Sequence, residues 1–278
     1  MSNTLSDINS LLQAIYPRRE AGAVASLLLQ KIVGASASDV LLGNFELSKV
    51  QLQNIEMALE RLKLNEPIQY VLGQTEFCGL PFKTDKRALI PRPETEELVS
   101  WVLSLKSNAE VRVVLDICTG SGCIAVTLAK NLPDAKVFAL DISLDALSLA
   151  QENAVLNAVQ IEFLHCNILK TDDLGEKFDI IVSNPPYVLL SEKQFMRPNV
   201  LDYEPEIALF VSEENPLIFY EHIAHFAQKH LNKNGCLFFE INQQFGNQIV
   251  ELLQKYQFKN IELKKDISGN DRMCLINS

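Results

Sequence analysis

Apolar side chains recur every three or four residues through the first quarter of the chain, which is the spacing of one face of an α-helix. Ser6 and Ser48 are the residue type that caps a helix N-terminus, while Pro17, Gly34 and Gly43 interrupt the pattern. The pattern predicts several short amphipathic helices in a small bundle. The apolar positions that show the spacing are Leu5, Ile8, Leu11, Leu12, Ile15, Ala21, Val24, Leu27, Leu28, Val50, Leu52, Ile55, Leu59 and Leu62.

The helical pattern stops near residue 74. Between Gln74 and Thr84, two phenylalanines flank a glycine and a proline, an arrangement that suits a hairpin or an extended linker better than a helix. Pro91 and Pro93 then hold the backbone extended before a new helix, predicted to begin near Glu94 with carboxylates in its first turn. We therefore place a domain boundary at this linker.

After residue 110, apolar strands alternate with amphipathic helices. Such alternation predicts a parallel sheet with helices on both faces, an α/β fold. The expected strands are VRVVLD, KVFALD, IEFLHC, FDIIVS and GCLFFEI, and the expected helices begin near Cys123, Ser143, 215 and 244. Two last strands, around 258–264 and 272–276, leave no room for a crossover helix between them, so this pair is predicted to be antiparallel.

Composition and charge narrow the class of protein. The 278 residues are enough for two domains, and no apolar run approaches the ~20 residues of a membrane span. The N-terminus lacks the pattern of a secretory signal, and six scattered cysteines without a CxxC pair fit reduced thiols, so a cytoplasmic protein is expected. A formal net charge of −10 argues against nucleic acid as the main substrate, because phosphate binding depends on Lys and Arg.

A turn rich in small residues follows the first strand of the α/β part, in the stretch DICTGSGCIA from Asp116 to Ala125. Gly120 and Gly122 allow a ligand to approach the backbone, and Asp141 ends the next strand at the spacing of a carboxylate that binds ribose hydroxyls. A nucleoside-containing cofactor is indicated. A carboxylate before the turn and the lack of a full GxGxxG favour S-adenosylmethionine over a dinucleotide.

The fourth strand of that part, FDIIVS, runs directly into Asn184, Pro185, Pro186 and Tyr187. Two prolines remove two amide donors and fix the backbone, which leaves carbonyl oxygens able to accept hydrogen bonds. The side-chain oxygen of Asn184 and the carbonyl of Pro185 suit a planar NH2 group, with Tyr187 stacked on its plane. These acceptors would aim the nitrogen lone pair at a methyl sulfonium carbon and stabilise the positive charge that develops.

Over nearly its whole length the chain resembles the bacterial protein-(glutamine-N5) methyltransferases that modify release factors, the PrmC or HemK family. The resemblance rests on these stretches: EPIQYVLGQTEFCGLPF at 66–82, LIPRPETEELV at 89–99, DICTGSGCIA at 116–125, IIVSNPPYV at 180–188, YEPEIAL at 203–209, FEINQQFG at 239–246 and GNDRM at 269–273. The Asn-Pro-Pro-Tyr tetrad also occurs in DNA amino-methylating enzymes, whereas the helical head and the RPETE stretch resemble this family specifically.

The resemblance implies three parts: a helical substrate-recognition domain at 1–73, a β-hairpin linker at 74–86 and a class I, Rossmann-like, seven-stranded S-adenosylmethionine-dependent methyltransferase domain at 87–278. The implied reaction transfers the methyl group to the side-chain amide of the glutamine in the Gly-Gly-Gln loop of class 1 release factors, leaving S-adenosylhomocysteine. A monomer with no membrane association and no nucleic-acid substrate is expected.

The resemblance also implies roles for individual residues. Catalysis and glutamine binding are assigned to Asn184, Pro185, Pro186 and Tyr187. Cofactor binding is assigned to Asp116, Cys118, Thr119, Gly120, Ser121, Gly122, Asp141, Asn167, Ile168 and Asn184, with Phe77, Arg92 and Pro93 near its methionine end.

Two positions depart from the family pattern. Cys118 stands where the family usually has glycine, so its side chain is expected to pack away from the ligand. Asn167 stands where the family usually has aspartate near the adenine, which keeps an acceptor oxygen but loses the charge. Neither position takes part in the methyl transfer itself.

Other interpretations fit the pattern less well. A nucleic-acid (adenine N6) methyltransferase would share the tetrad but should carry a basic groove, and a cofactor-binding scaffold or a nicotinamide dehydrogenase has no use for the tetrad. His222 and His225 could share a metal on one helix face, but no third ligand is apparent, so no metal is expected. Tyr203, Glu204 and Pro205 fit a packed loop as well as a substrate-binding one.

Overall fold

The structure is a computed structural model, and it describes residues 5–104 and 111–277. The chain divides into two compact units. One contains the residues up to Gln74 together with Arg197–Tyr203, and the other contains Thr75–Met196 and the residues from Glu204 onward.

The first unit is helical, with α1 (Leu5–Leu12), α2 (Arg18–Val33), α3 (Ala37–Leu42), α4 (Lys49–Lys63) and α5 (Ile68–Leu72). Ser48 caps α4 in a capping box with Gln51, as the sequence predicts, and Gly34 and Gly43 end α2 and α3 in the left-handed conformation. The prediction for Ser6 is wrong, because this residue lies inside α1. The apolar stripes meet in one core whose most buried members include Leu12, Leu28, Leu29, Ile55 and Leu62.

Part of a later loop belongs to this helical unit. Arg197 forms an ion pair with Glu20 at 2.9 Å, and the Tyr203 hydroxyl donates to the Leu64 carbonyl at 2.8 Å. The predicted domain boundaries at 73 and 86 divide the chain into consecutive segments, so they do not assign residues 197–203 to the helical unit.

The second unit begins with a two-stranded hairpin, β1 (Gln74–Phe77) and β2 (Leu80–Lys83), followed by α6 (Pro93–Ser104). The α/β part continues with β3 (Val113–Ile117), α7 (Cys123–Asn131), β4 (Lys136–Asp141), α8 (Leu144–Leu156), β5 (Glu162–His165) and β6 (Phe178–Ser183). A long connection follows, with β7 (Val188–Leu189), β8 (Phe210–Val211) and two short 3-10 turns, Leu190–Phe195 and Glu206–Ala208; its helix α9 (Pro198–Leu201) lies in the part that belongs to the helical unit. The unit ends with α10 (Ile218–His230), β9 (Leu231–Glu240), a 3-10 turn at Gln243–Phe245, α11 (Gly246–Lys255), β10 (Asn260–Lys265) and β11 (Asp271–Asn277).

Seven of these strands form one sheet in the order β10-β11-β9-β6-β3-β4-β5. β11 is antiparallel to both of its neighbours, which confirms the antiparallel terminal pair, and the other neighbouring pairs are parallel. The predicted α/β class with a seven-stranded, mostly parallel sheet is therefore confirmed. Apolar clusters cover both faces, with Leu115, Phe178 and Phe239 in one and Val114, Val182 and Phe238 in the other.

The order of the strands positions the site. β3 pairs with β4 on one side and β6 on the other, with Ile117 opposite Ser183. The chain reverses its direction of travel across the sheet at β3, and ligands of open α/β sheets bind at the carboxyl ends of strands at such a point. The turn after β3 and the Asn-Pro-Pro-Tyr stretch after β6 consequently share one edge.

Candidate functional site

A cavity of about 280 Å³ lies at the carboxyl edge of β3, β4 and β6. Most of the predicted site residues contribute to its lining, although they are far apart in the sequence. They are Cys118–Ser121 from the turn after β3, Asp141 from the end of β4, Asn167 and Ile168 after β5, Asn184 and Pro186 after β6, and Arg92 before α6.

The two glycines of the turn have different structural roles. Gly120 has a φ of 55°, and a Cβ added there would meet no atom within 4 Å, so the backbone borders open space beside the cavity. Gly122 is the N-cap residue of α7 with a φ of 79°, and a Cβ there would come within 2.9 Å of the Ala150 Cβ. Gly122 therefore allows α7 and α8 to pack closely, whereas Gly120 gives a ligand access to the backbone.

Asp141 holds the turn and the start of α8 together. Its Oδ2 accepts from the Gly120 amide at 2.9 Å and its Oδ1 accepts from the Ser143 amide at 2.9 Å. Burial raises the pKa of this carboxyl, and the backbone hydrogen bonds oppose that rise. Each carboxylate oxygen has further lone pairs, so the side chain can accept from ribose hydroxyls while it keeps both backbone contacts.

Cys118 occupies a strained backbone position. Its φ of 62° lies in the left-handed region, where glycine is favoured, which gives a physical reason for the glycine of the family pattern. The residue lines the cavity and also packs against the core of the sheet. Burial, with the nearby carboxylates of Asp141 and Asp116, raises the pKa of its thiol well above the usual value, so the side chain is neutral and apolar in character.

Asp116 lies behind the turn and not in the cavity lining. It is fully buried, and its Oδ2 accepts from the Thr119 hydroxyl at 2.6 Å and from the Ala125 amide at 3.1 Å. No described residue donates a hydrogen bond to its Oδ1. Burial raises the pKa of this carboxyl to about 7.

Asn167 and Ile168 form the wall after β5. The Asn167 Oδ1 accepts from the Leu169 amide at 3.0 Å, a local turn in which the side-chain oxygen is already used. Ile168 is buried and offers an apolar surface to the cavity. These contacts explain how asparagine can replace aspartate here, since the turn needs an acceptor oxygen and not a charge.

The stretch after β6 is held by side-chain hydrogen bonds. The Asn184 Nδ2 donates to the Thr95 hydroxyl at 3.1 Å, and the Tyr187 hydroxyl donates to the Glu240 Oε1 at 3.0 Å. Burial, followed by the Glu240 carboxylate, raises the pKa of Tyr187, so the phenol keeps its proton. Asn184 and Pro186 line the cavity, whereas Pro185 and Tyr187 do not.

Of the three residues assigned to the methionine end of the cofactor, only Arg92 lies in the cavity wall. Arg92 lines the cavity and forms an ion pair with Glu204, whose carboxylate also accepts from the Ile90 amide at 3.0 Å. Phe77 is instead buried in an edge-to-face contact with Phe82, with ring centroids 5.9 Å apart, and Pro93 begins α6. Neither Phe77 nor Pro93 is among the lining residues.

These residues fit S-adenosylmethionine. The edge of the sheet offers a backbone turn with open space at Gly120, a carboxylate with spare acceptor capacity at Asp141 and an apolar wall at Ile168. Cys118 adds a neutral, apolar side chain to the same wall. In the described residues, no three His, Cys, Asp or Glu side chains come together as metal ligands.

Sequence reasoning missed several residues around the cavity. Thr95, Glu204 and Glu240 make the contacts that hold Asn184, Arg92 and Tyr187, yet no role was predicted for Thr95 or Glu240. A signal existed for Glu240, because it is a lone carboxylate at the end of the apolar run CLFFE. No part of the described chain forms a helix that is long and apolar enough to cross a membrane.

Family models and known relatives match both parts of the chain. Residues 3–73 match the model of the PrmC N-terminal domain family, and residues 98–197 match the model of the methyltransferase small domain family. The release factor glutamine methyltransferase of Flavobacterium psychrophilum is 51% identical over 96% of this chain and 95% of its own length. Its counterpart of the same name in Bacteroides thetaiotaomicron is 44% identical over the full length of both chains.

Solved structures support the fold. A methyltransferase from Pyrococcus furiosus matches 83% of this chain and 98% of its own with a TM-score of 0.53 and 17% identity. A 16S rRNA N2 methyltransferase of T. thermophilus, solved in complex with AdoMet and guanosine, matches 74% of this chain and 49% of its own with a TM-score of 0.53 and 18% identity. These two matches show the fold alone. The sequence identities and the two family models show that the chain belongs to the release factor glutamine methyltransferase family and is an S-adenosylmethionine-dependent methyltransferase.

Proposed function

We propose that this protein transfers the methyl group of S-adenosylmethionine to the side-chain amide nitrogen of a glutamine, the one in the Gly-Gly-Gln loop of class 1 release factors. The observation that carries the proposal is the orientation of Asn184, whose amide NH2 is bound to Thr95. No described residue donates to its Oδ1, so this oxygen is available to a substrate N–H at the cavity.

The residues of the chain bind the cofactor and orient the substrate glutamine. S-adenosylmethionine supplies an electrophilic methyl group when it is bound. Asn184 Oδ1 accepts one hydrogen of the glutamine NH2, which fixes the plane of the amide and aims the nitrogen lone pair. The same hydrogen bond strengthens as positive charge grows on nitrogen, so it stabilises the transition state more than the bound substrate. Tyr187 retains its proton and its hydroxyl is bound to Glu240, so it does not act as a base.

Cofactor binding is assigned to the turn and the wall described above. In this proposal Asp141 accepts from the ribose hydroxyls, Gly120 admits the cofactor to the backbone, Ile168 covers the adenine, and Arg92 lies near the methionine end. Phe77, Pro93, Pro185 and Tyr187 do not line the cavity, and their contacts with cofactor or glutamine stay predictions.

Residues 1–73 are proposed to form a substrate-recognition domain. The helical unit leaves several large apolar side chains exposed, namely Leu41, Leu42, Met57 and Leu64, which is the type of surface that binds another protein. Replacing Leu41 and Leu42 together by serine should raise the KM for the release factor and leave cofactor affinity unchanged. A monomeric, cytoplasmic enzyme without a nucleic-acid substrate completes the proposal.

One assay tests the reaction. The protein is incubated with methyl-labelled cofactor and a purified release factor, either wild type or with the loop glutamine replaced, and label in the release factor is counted. Transfer that requires the glutamine supports the proposal. Equal transfer to both forms would place the methyl group elsewhere, and transfer to adenine-containing DNA instead of the release factor would favour the nucleic-acid alternative.

A further inference from the structure

Glu240 is a buried carboxylate at the end of β9, with 1% of its surface exposed. β9 runs parallel to β6, and Phe239 is opposite Ser183, so residue 240 lies beside the start of the Asn-Pro-Pro-Tyr stretch. Its Oε2 accepts from the Thr95 hydroxyl at 2.6 Å and its Oε1 accepts from the Tyr187 hydroxyl at 3.0 Å. A charged group this deeply buried is expensive unless it is fully hydrogen-bonded, and both oxygens of Glu240 have a partner.

The direction of these hydrogen bonds is set by chemistry. A carboxylate only accepts, and a threonine hydroxyl has one hydrogen to give. Since Thr95 donates that hydrogen to Glu240, its oxygen can only accept from Asn184, 3.1 Å away. The atom of Asn184 that faces Thr95 must therefore be the NH2 nitrogen, which places the carbonyl oxygen at the other end of the amide.

The surroundings favour this direction. Burial raises the pKa of Glu240, while the hydrogen bonds from Thr95 and Tyr187 and the positive charge of Arg272 oppose that rise. Arg272 is held nearby, where its Nη1 donates to the Ile241 carbonyl at 3.3 Å and its Nε donates to the Asp266 Oδ2 at 3.3 Å. The two hydroxyl donors and the Arg272 cation stabilise the ionised form of Glu240, in which both of its oxygens accept.

We propose that Glu240 is a positioning residue that acts through Thr95 to fix which end of the Asn184 amide is offered to the substrate. With the NH2 end bound to Thr95, Asn184 presents an acceptor, which selects a substrate nitrogen that bears hydrogens. An Asn184 amide turned by 180° would present a donor and repel the NH2 group. This inference rests on the proposed glutamine methylation and adds the residues that give Asn184 its orientation.

Thr95→Val is the central variant, because it keeps the branched shape and removes the hydroxyl that joins Glu240 to Asn184. We expect kcat for release factor methylation to fall on the order of 10- to 100-fold, the cost of a misplaced catalytic group. The affinity for S-adenosylmethionine should change less than about twofold, because the residues assigned to the cofactor keep their contacts. Thr95→Ser restores the hydroxyl and should recover most of kcat.

Glu240→Gln tests the other end of the chain of hydrogen bonds. A glutamine amide would offer one N–H2 group where both neighbours now donate, so one hydroxyl would have to reverse. We expect kcat to fall, and the double variant with Thr95→Val to be no slower than the slower single variant, since both changes act on Asn184 through one path. If kcat of the double variant fell by the product of the two single fold-losses, the two changes would act independently, which would contradict a shared path.

Thr127→Val is the matched control. Thr127 is a fully buried threonine in α7, and no described residue bonds its hydroxyl. The same substitution there should leave kcat unchanged. Thermal unfolding of each variant shows that the comparison is made between folded proteins.

A second readout is independent of activity. In protein with 15N-labelled asparagine side chains, the Asn184 NH2 protons should be protected from exchange in the wild type and lose protection in Thr95→Val. If the wild type fails to methylate the release factor, the proposed function fails while this measurement still reports on the Asn184 amide. If the wild type is active and folded Thr95→Val turns over at the wild-type rate with protected protons, the positioning role of Thr95 and Glu240 is overturned.

Discussion

The backbone amide of Gly120 donates to the side chain of Asp141 across the gap between the ends of β3 and β4, with a nitrogen–oxygen distance of 2.9 Å. The turn assigned to the cofactor and the carboxylate assigned to its ribose are therefore one unit. A change at Asp141 disturbs both, because the same side chain also accepts from Ser143 at the start of α8.

Asp141→Ala should weaken binding of S-adenosylmethionine by roughly 1 to 3 kcal/mol, because the backbone donors at 120 and 143 and the ribose hydroxyls lose their acceptor. Isothermal titration calorimetry measures the change. The control is Asp134→Asn, a change of an exposed carboxylate outside the cavity lining. An unchanged dissociation constant in Asp141→Ala would remove this residue from the ribose site.

Asn184→Ala should abolish methylation and leave most of the cofactor affinity, because it deletes the acceptor for the substrate nitrogen and only a small part of the cofactor wall. Turnover is measured with labelled cofactor, and binding is measured separately by titration. Asn247→Ala, at an exposed position on α11, serves as the control. Appreciable turnover in the Asn184 variant would show that the acceptor lies elsewhere.

The two glycines of the turn should respond differently to alanine. Gly122→Ala brings a Cβ to 2.9 Å from the Ala150 Cβ, so we expect destabilisation of about 1 to 3 kcal/mol from overpacking, with added strain from a φ of 79°. Gly120→Ala carries strain from a φ of 55° but meets no atom within 4 Å, so it should destabilise less, while the new methyl group beside the cavity lowers cofactor affinity. Denaturant unfolding and cofactor titration of both variants separate the two effects, and equal loss of stability would contradict the packing role of Gly122.

Asp116 should make the stability of the cofactor-free protein depend on pH. Its pKa is raised by burial from 3.8 to about 7, so between these values the folded state binds a proton that the unfolded state has released. Stability from this group is therefore present at low pH and is lost as pH rises toward and through about 7. Asp116→Asn, which cannot ionise, should raise the unfolding temperature more at pH 8 than at pH 5.5. A shift of equal size at both values would show that the carboxyl ionises normally in the fold.

Local pattern was enough to predict the elements and their chemistry. The strands KVFALD and FDIIVS have the bounds that periodicity gives, and the capping box at Ser48 is where its residue types predict it. The short final connection required an antiparallel pair, which β10 and β11 form. The error at Ser6 has a simple cause, since a serine suits the second position of a helix as well as its cap.

Most of the cavity wall could also be predicted. Strand ends and small-residue turns can be recognised in the sequence. Parallel strands bring their carboxyl ends to one edge of the sheet, so Gly120, Asp141 and Asn184 were expected to lie near one another. Which side chains then point into the cavity depends on φ, packing and strand twist. For that reason Asp116 and Phe77, both within matching motifs, turn out to be buried behind the cavity wall.

The sequence by itself determined the fold class, the kind of cofactor and the tetrad that offers hydrogen-bond acceptors, because these depend on residue types at short spacing. The tertiary structure decided which way the Asn184 amide is turned, because that depends on Thr95 and Glu240, which are 89 and 56 positions away along the chain. The direction of the Asn184–Thr95 hydrogen bond is set only when Glu240 also accepts from Thr95, and these three residues come from distant segments of the chain.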